Sequence, residues 1–406
     1  MKREITSRRA FLAKSILASG GIILGSQLLA CKEDDFPLLG SGGTDDIPRF
    51  LHGVGSFDPT ADAVIIWTRF TPTEKEIYRE IEIKWQVATD SGFGDVVAEG
   101  SSLCSITDDF TVVEDVTGLA SDGKYYYRFV QEELKVESVI GETITLPKAG
   151  ASCDTLKLAV CSCSNYPAGL FNVYDAIAQS DADVIVHLGD YIYEYGEGDY
   201  GTNENTEPLN RVHDPKTEIL SLEDYRMRYR QYRTDEGLQR AHQKKPFIVV
   251  WDDHEITNDA YIDGAENHNE GEGNYQERKN RAIRVHGEYL PIRTDNGAII
   301  YRNFEFGNLV NLVMLDTRIV GRDKQLNFAD YFMADGSLDV AAFSTAISDP
   351  DRNLMGAEQL AWAGGAIGGS GASWQVIGQQ VLMGKMFVPA ELLISIATIA
   401  SGNATP

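Results

Sequence analysis

Two apolar runs that each end in acidic residues constrain the fold of this chain more than any other feature. The first covers residues 184–193 (VIVHLGDYIY), and the second covers residues 247–255 (FIVVWDDHE). A continuous apolar run of this length is typical of a strand that is buried on both faces, as in a parallel sheet. Because α/β proteins place ligands at the carboxyl ends of such strands, the two acidic ends are expected to lie side by side. Together they could bind hard metal ions, which prefer oxygen ligands.

The pattern of the chain changes near residue 150. Between residues 48 and 148, short strands such as 81–87 alternate polar and apolar residues between turns, which predicts an immunoglobulin- or fibronectin-like β-sandwich. This domain could recognise a ligand or partner, but we favour a spacer packed on the domain that follows. From residue 156 onward, strands alternate with helices, which predicts an α/β sandwich domain over residues 149–406. Its predicted helices lie near 171–179, 221–232, 234–245 and 278–289, and its later strands lie at 309–315 and 374–378.

The N-terminus has the composition of a targeting segment. Residues 1–30 contain a twin-arginine signal (SRRAFLAK) followed by an apolar stretch, and LLAC ends in Cys31 as in a lipoprotein cleavage site. Residues 31–47 are acidic and glycine-rich, which indicates a flexible tether. We therefore expect export by the twin-arginine route and a periplasmic or cell-surface lipoprotein anchored at Cys31, although an ordinary signal peptide with a chance cysteine is the alternative.

The net charge limits the choice of partners. The whole chain carries −25, and residues 1–30 contain five basic residues and one acidic residue, so the remainder carries about −29. A protein of this charge is not expected to bind nucleic acid as a bulk partner. The four cysteines besides Cys31 are too few for a disulfide-built scaffold, and the sequence leaves a pairing of Cys104 with Cys153 or Cys161 open.

Asp190 and Asp253 are the main candidates for metal ligands, because each follows an apolar run. Asp190 could bridge two cations, and Asp253 could bind the second one. His254 is placed to donate a proton to a phosphate oxygen or to a leaving group. Strand alternation directs Asp252 away from Asp253, so one of these two is expected to be structural. The alternatives are a turn or capping role for Asp190 and a core role for His254.

Tyr193 and Cys163 are weaker candidates. Tyr193 lies three residues after Asp190 and could share an ion with it if the chain turns there. A phenolate ligand implies a strongly Lewis-acidic ion such as Fe(III). Cys163 ends the first α/β strand and could be a thiolate ligand, whereas Cys161 is expected in the core. Read alone, Tyr193 would be a packing aromatic and Cys163 a small buried hydrophobe.

Three motifs resemble the PhoD-like alkaline phosphatase/phosphodiesterase family, which is of the metallophosphoesterase type. They are 162–166 (SCSNY), 187–195 (HLGDYIYEY) and 251–255 (WDDHE). Further segments resemble that family in the same order, and the resemblance covers nearly the whole chain after the signal. These segments are 55–60 (GSFDPT), 67–69 (WTR), 315–318 (LDTR), 356–359 (GAEQ) and 374–380 (WQVIGQQ).

The resemblance implies a metallophosphoesterase-like α/β sandwich with an Fe(III) and Ca(II) centre. Cys163, Asp190 and Tyr193 would bind iron, and Asp190 would bridge to calcium. Asp253 would be a calcium-side ligand. His254 and Arg318 would contact phosphate as catalytic residues. The expected substrates are small-molecule or polymer phosphate esters, both mono- and diesters.

One difference from the family concerns the end of the chain. Members carry a late Gly-Asp-Val-His segment that completes the site, and residues 380–406 contain none. We therefore expect the domain to lack its C-terminal part. The main hypothesis is a metal-dependent phosphoesterase that acts outside the cytoplasm, and the alternative is a truncated, non-catalytic surface lipoprotein with a binding role. A calcium-binding adhesion module based on the acidic loops is a third, weaker hypothesis.

Overall fold

The computed structural model describes residues 47–294, 299–335 and 337–382. The predictions of the export signal, of lipidation at Cys31, of the tether up to residue 46 and of a missing C-terminal part lie outside these residues. Within the described ranges, no helix is long and apolar enough to cross a membrane.

Helices and strands follow the pattern expected from the sequence. The described strands are β1 (Val54–Phe57), β2 (Ala63–Arg69), β3 (Ile81–Ala88), β4 (Val96–Cys104), β5 (Thr111–Thr117), β6 (Lys124–Gln131), β7 (Val136–Glu137), β8 (Gly141–Ile144), β9 (Leu158–Cys161), β10 (Val184–His187), β11 (Phe247–Val249), β12 (Arg302–Phe306), β13 (Val310–Met314) and β14 (Trp374–Gly378). The described α-helices are α1 (Asn172–Gln179), α2 (Leu222–Tyr232), α3 (Glu236–Lys244), α4 (Tyr275–Tyr289), α5 (Val340–Ile347) and α6 (Gly356–Gly369).

Local capping residues explain where the central helices begin. The Ser221 side chain accepts from the backbone N–H of Asp224, whose carboxylate accepts from the Ser221 N–H, so a capping box begins α2. Asp235 and Asn274 cap α3 and α4 in the same way, each accepting one backbone N–H of the first turn. These caps satisfy donors that a helix start would otherwise leave unpaired.

A six-stranded sheet positions the candidate site. Its order is β5-β2-β1-β11-β10-β9, and β9, β10 and β11 run parallel, as the apolar runs predicted. In the register of β10 and β11, Ile185 pairs with Phe247 and His187 pairs with Val249. The ends of these two strands therefore lie next to each other. Helices α2, α3 and α4 contribute side chains to the same hydrophobic core as these strands.

The N-terminal strands form a β-sandwich whose first layer continues this sheet. β1 pairs in parallel with β11 through Phe57 and Phe247, while β2 and β5 add antiparallel strands. The second layer has the order β4-β3-β6-β7, with β8 beside β6, and shares a core with the first layer. The sheet thus crosses the domain boundary that the sequence placed at residue 148. The division of the chain into domains stays a prediction.

A smaller sheet of β12, β13 and β14 completes the α/β region. β12 pairs antiparallel with β13, and β13 pairs in parallel with β14, so that Val313 lies opposite Ile377. Leu312 and Met314 on β13 belong to the core that also holds β10 and β11. The α/β part is therefore layered, in agreement with the expected fold class.

The two strands are shorter than the apolar runs that predicted them. β10 ends at His187 and β11 ends at Val249, but Val250 and Trp251 remain buried. Burial continues because the segments after the strands are packed under neighbouring elements, not because the strands continue. Strand alternation therefore cannot be applied to residues 250–255.

Candidate metal centre

The close approach of the two loops after β10 and β11 depends on Gly189. Its φ is +96°, and a Cβ atom there would lie 2.2 Å from the backbone nitrogen of Asp252. Only glycine avoids both the strained backbone and this clash. The next residue, Asp190, has φ +55°, a left-handed conformation that aspartate tolerates better than most residues. The chain thus turns sharply and directs Asp190 toward the second loop.

The loop after β9 is joined to the same turn by backbone hydrogen bonds. The Cys163 N–H donates to the Gly189 carbonyl at 3.1 Å, and the Ser164 N–H donates to the Asp190 carbonyl at 2.7 Å. As a result, the Cys163 sulfur lies 3.5 Å from Asp190 Oδ2. Burial and the Asp190 carboxylate raise the pKa of the Cys163 thiol to about 11. A nearby cation would favour the thiolate.

Tyr193 contacts the same carboxylate oxygen of Asp190 as Cys163 does. Its hydroxyl donates to Asp190 Oδ2 at 3.1 Å, and its ring centroid lies 4.2 Å from that of His254. Burial and the Asp190 carboxylate raise the pKa of the Tyr193 phenol. The turn after Asp190 therefore brings both side chains together, as the spacing of three residues suggested.

Asp190, Asp253 and His254 form a buried cluster. Each offers a ligand atom, and these atoms all lie within 4.8 Å of one another. Asp190 Oδ1 is buried and accepts no hydrogen bond from any residue in the described ranges. Burial and the carboxylates of Asp253 and Asp252 raise the pKa of Asp190 to about 7, against the opposing effect of His254. A buried carboxylate oxygen without a donor needs compensation, which a cation would supply.

His254 is held by a buried carboxylate from the first loop. Its Nδ1 lies 2.6 Å from Glu194 Oε2, and Glu194 also accepts from the Asn258 N–H and from Asn267 Nδ2. Burial alone would lower the pKa of His254, but the carboxylates of Glu194 and Asp253 raise it to about 10. His254 therefore carries its proton at neutral pH when only these protein charges act on it.

Arg318 lies beside the second loop and pairs mainly with Asp252. Its Nε and Nη2 contact the two carboxylate oxygens of Asp252 at 2.5 and 3.2 Å. Its Nη2 also lies 3.4 Å from Asp253 Oδ1. Asp252 thus makes the closer, two-oxygen contact with Arg318, whereas Asp253 pairs with Arg318 through one oxygen and also belongs to the cluster.

The sequence reasoning did not identify the two glutamates that hold the centre together. Glu194 binds His254, and Glu255 accepts backbone N–H groups from both loops. Both residues stand inside the recognised motifs, but most of their partners lie about 60 residues away along the chain. Their acidic character next to ligand candidates was the one available signal, and it does not reveal the direction of either side chain.

The structure brings all six site candidates to one edge of the sheet. The Cys163 thiol and the Tyr193 phenol contact Asp190 Oδ2, and Asp253 and His254 complete the cluster. Asp190 Oδ1 has no donor among the described residues. Such a mixed oxygen, nitrogen and sulfur donor set fits a metal centre. The four remaining cysteines are free, so the open question of a disulfide is answered negatively for the described part of the chain.

The fold and this centre are those of a layered α/β protein with a carboxylate-rich site at its sheet edge. Comparison with known protein families identifies the family to which the chain belongs. The model described as PhoD-like phosphatase matches residues 158–398, and the model of the PhoD-like phosphatase N-terminal domain matches residues 41–147. The chain belongs to the PhoD-like phosphatase family.

Two known proteins show the extent of the similarity. Alkaline phosphatase D of Bacillus subtilis (strain 168) is 33% identical over 398 residues, which cover 95% of this chain and 65% of that protein. A solved structure described as the structure of PhoD has a TM-score of 0.73 and 33% identity, and the alignment covers 85% of this chain and 64% of the other. This chain thus spans slightly less than two thirds of the length of each of these relatives.

Proposed function

We propose that this protein is a metal-dependent phosphoesterase that hydrolyses phosphate mono- or diesters. Family membership and the similarity to a protein named alkaline phosphatase D support this proposal. The observation that carries it is Asp190, a buried carboxylate with an oxygen that lacks a donor within the described residues. No described feature favours the alternative of a non-catalytic binding protein.

We propose the metal ligands on two grounds, the resemblance to the family and the short distances at the centre. Cys163, Asp190 and Tyr193 would hold Fe(III), because a thiolate and a phenolate suit a strongly Lewis-acidic ion. Asp190 and Asp253 would share Ca(II), which prefers carboxylate oxygens. When bound, the two ions would withdraw charge from the phosphate oxygens and lower the pKa of water.

The protein's own groups would orient the ester and handle its protons. Arg318 lies at the edge of the cluster, and part of its guanidinium charge would face a phosphate oxygen. Glu194 holds the Nδ1 side of the His254 ring, and the ring lies in the cluster with Asp190 and Asp253. His254 would donate a proton to the leaving oxygen, a role for which its raised pKa is suitable.

The proposed test is hydrolysis by the full chain loaded with iron and calcium. Turnover of nitrophenyl phosphate or bis-nitrophenyl phosphate by the native chain, and its loss in Asp190→Asn, would support the proposal. A folded, metal-loaded native chain that hydrolyses neither ester would refute it.

Elemental analysis distinguishes the enzyme from the binding protein. Near-stoichiometric iron in the purified chain is expected for the enzyme. A folded chain that takes up neither iron nor calcium would instead favour the non-catalytic lipoprotein.

We also propose that the protein acts outside the cytoplasm, exported by the twin-arginine route and anchored through Cys31. The arginine pair of the signal and the cleavage-site sequence support this proposal. Substitution of Arg8 and Arg9 by lysine should retain the protein inside the cell. Substitution of Cys31 by serine should abolish labelling with radioactive palmitate, and persistent labelling would contradict the anchor.

A further inference from the structure

Two buried glutamates connect the loops after β10 and β11, because each lies on one loop and binds the other. Glu194 belongs to the first loop and binds His254 of the second. Glu255 belongs to the second loop and binds the backbone of the first. Both are almost fully buried, with 0% and 1% exposure. Each loop therefore supplies two candidate metal or catalytic groups and one carboxylate that binds the other loop.

Glu255 binds backbone N–H groups of both loops. Its Oε2 accepts the N–H of Asp190 at 3.0 Å and the N–H of Asp252 at 2.9 Å, and its Oε1 accepts the N–H of Tyr191 at 2.6 Å. One carboxylate thus joins the residue that carries the proposed bridging ligand to the residue before Asp253. These bonds determine how far apart the two loops lie.

The loops require such a connection because their functional side chains repel each other. Asp190, Asp252 and Asp253 bring three carboxylates to one edge of the sheet and Glu255 adds a fourth, and like charges close together destabilise the arrangement unless donors offset them. Backbone N–H groups are fixed donors that a carboxylate binds strongly. Three of them directed at Glu255 would resist separation of the loops.

We propose that Glu255 is a positioning residue that holds Asp190 in its metal-binding position before any ion arrives. Glu255 does not touch the ion or the ester; it acts through the backbone of Asp190 and Asp252. This inference rests on the metal-binding part of the proposed function. It does not require that the chain hydrolyses any particular ester.

Glu255→Gln is the sharpest variant because it preserves size and replaces one acceptor oxygen with an NH₂ group. Wherever that group points, it faces at least one backbone N–H that formerly donated to the carboxylate. Glu288→Gln is the matched control. Glu288 is also buried, and its carboxylate binds Arg226 on α2 and Arg284 on α4, neither of which is a proposed ligand.

The experiment is calorimetric titration of Ca²⁺ into the metal-free full chain, together with iron analysis after reconstitution. Glu255→Gln should weaken Ca²⁺ binding by about 10- to 100-fold, as is typical when a partner of a metal ligand is lost. Glu288→Gln should bind Ca²⁺ as the native chain does, even if its melting temperature falls. In the loaded proteins, Glu255→Gln should lower kcat by more than it raises KM.

The outcomes separate this inference from the proposed function. Weakened Ca²⁺ binding in Glu255→Gln with normal binding in Glu288→Gln supports the inference, even if the native chain hydrolyses neither nitrophenyl ester. Equal affinities in the native chain and Glu255→Gln would overturn it, as would a native chain that binds neither ion. A Glu255→Gln chain that fails to fold where Glu288→Gln folds would also overturn it, because the carboxylate would then serve the fold as a whole.

Discussion

Buried carboxylates occur in two regions of this molecule. In one region donors such as arginine surround them, and in the other they lie beside further carboxylates. At the boundary between the β-sandwich and the α/β layers, Asp58 accepts from Arg302 at 2.6 and 2.7 Å and from the Arg293 N–H at 2.7 Å. Asp109 is bound there by Arg69, Arg230 and Tyr289. At the metal centre, Asp190 lies beside further carboxylates, and its Oδ1 has no donor in the part of the chain described.

This difference separates a structural role from a functional one. Arginine compensates the boundary carboxylates, so nothing further is needed to keep them charged. Burial and neighbouring carboxylates raise the pKa of Asp190 to about 7, whereas Arg69 and Arg230 lower the pKa of Asp109 although burial opposes this. A buried aspartate that lacks hydrogen-bond donors thus indicates a ligand site, whereas a buried aspartate with donors indicates a structural contact.

The largest expected effect is the loss of activity in Asp190→Asn. Since Asp190 would bridge both ions, hydrolysis of bis-nitrophenyl phosphate should fall by roughly four orders of magnitude, or about 5.4 kcal/mol at 1.36 kcal/mol for each factor of ten. Asparagine tolerates the left-handed backbone at this position. In the metal-free chain the same change should not lower the free energy of unfolding, measured in urea. A clear loss of stability would instead give Asp190 a structural role like that of the boundary carboxylates.

Asp109→Asn should give the opposite result. It removes the charge that compensates two arginines, so the free energy of unfolding should fall by about 3 to 5 kcal/mol, as for broken buried ion pairs. The φ of Asp109 is +50°, which asparagine also tolerates, so the loss can be attributed to the charge. Metal content should stay at the native value. Loss of bound iron in this variant would show that the two regions are coupled.

Metal removal should affect the two regions differently. A chelator should lower the melting temperature of the native chain, because at a free ion concentration of 100 times Kd the ion contributes about 2.7 kcal/mol. Asp109→Asn should show the same decrease on chelation, whereas Asp190→Asn should show little or none. An unchanged native melting temperature after complete removal of iron and calcium would argue against a metal centre.

The smallest effect concerns the pH dependence of the boundary. Because the pKa of Asp109 is below its usual value in the folded protein, its contribution is complete above about pH 4 and is lost as the pH falls through the folded pKa. The difference in unfolding free energy between the native chain and Asp109→Asn should therefore be constant near neutrality and shrink in acid. A difference that grows as the pH falls would contradict the lowered pKa of Asp109 in the folded protein.

Much of the fold follows from local pattern. The apolar runs predicted the parallel pairing of β10 with β11, and the four helices expected from the pattern lie within a few residues of the observed α1 to α4, whereas α5 and α6 were not predicted. The parallel pairing of β1 with β11 was not predictable in this way. Strand pairing depends on which partner edge is available, and no residue of β1 encodes that choice.

The candidate site was also predictable only in part. The sequence predicted which residues come together, but not how individual side chains pair. The order of residues predicted that Asp190 and Asp253 approach each other, since parallel strands end at one edge. The different partners of Asp252 and Asp253 could not be derived by alternation, because β11 ends at Val249. Arg318, 66 residues further along the chain, binds both oxygens of Asp252 but only one oxygen of Asp253, which also belongs to the cluster.

The sequence by itself determined the secondary structure, the parallel strands and the motifs that end them, because apolar periodicity and capping act between residues close in the chain. The tertiary structure alone decided which carboxylates are compensated. That decision depends on donors such as Arg302 for Asp58 and on the backbone N–H groups bound by Glu255, all brought together from distant positions. Electrostatic compensation acts through space, so it emerges only when the chain has folded.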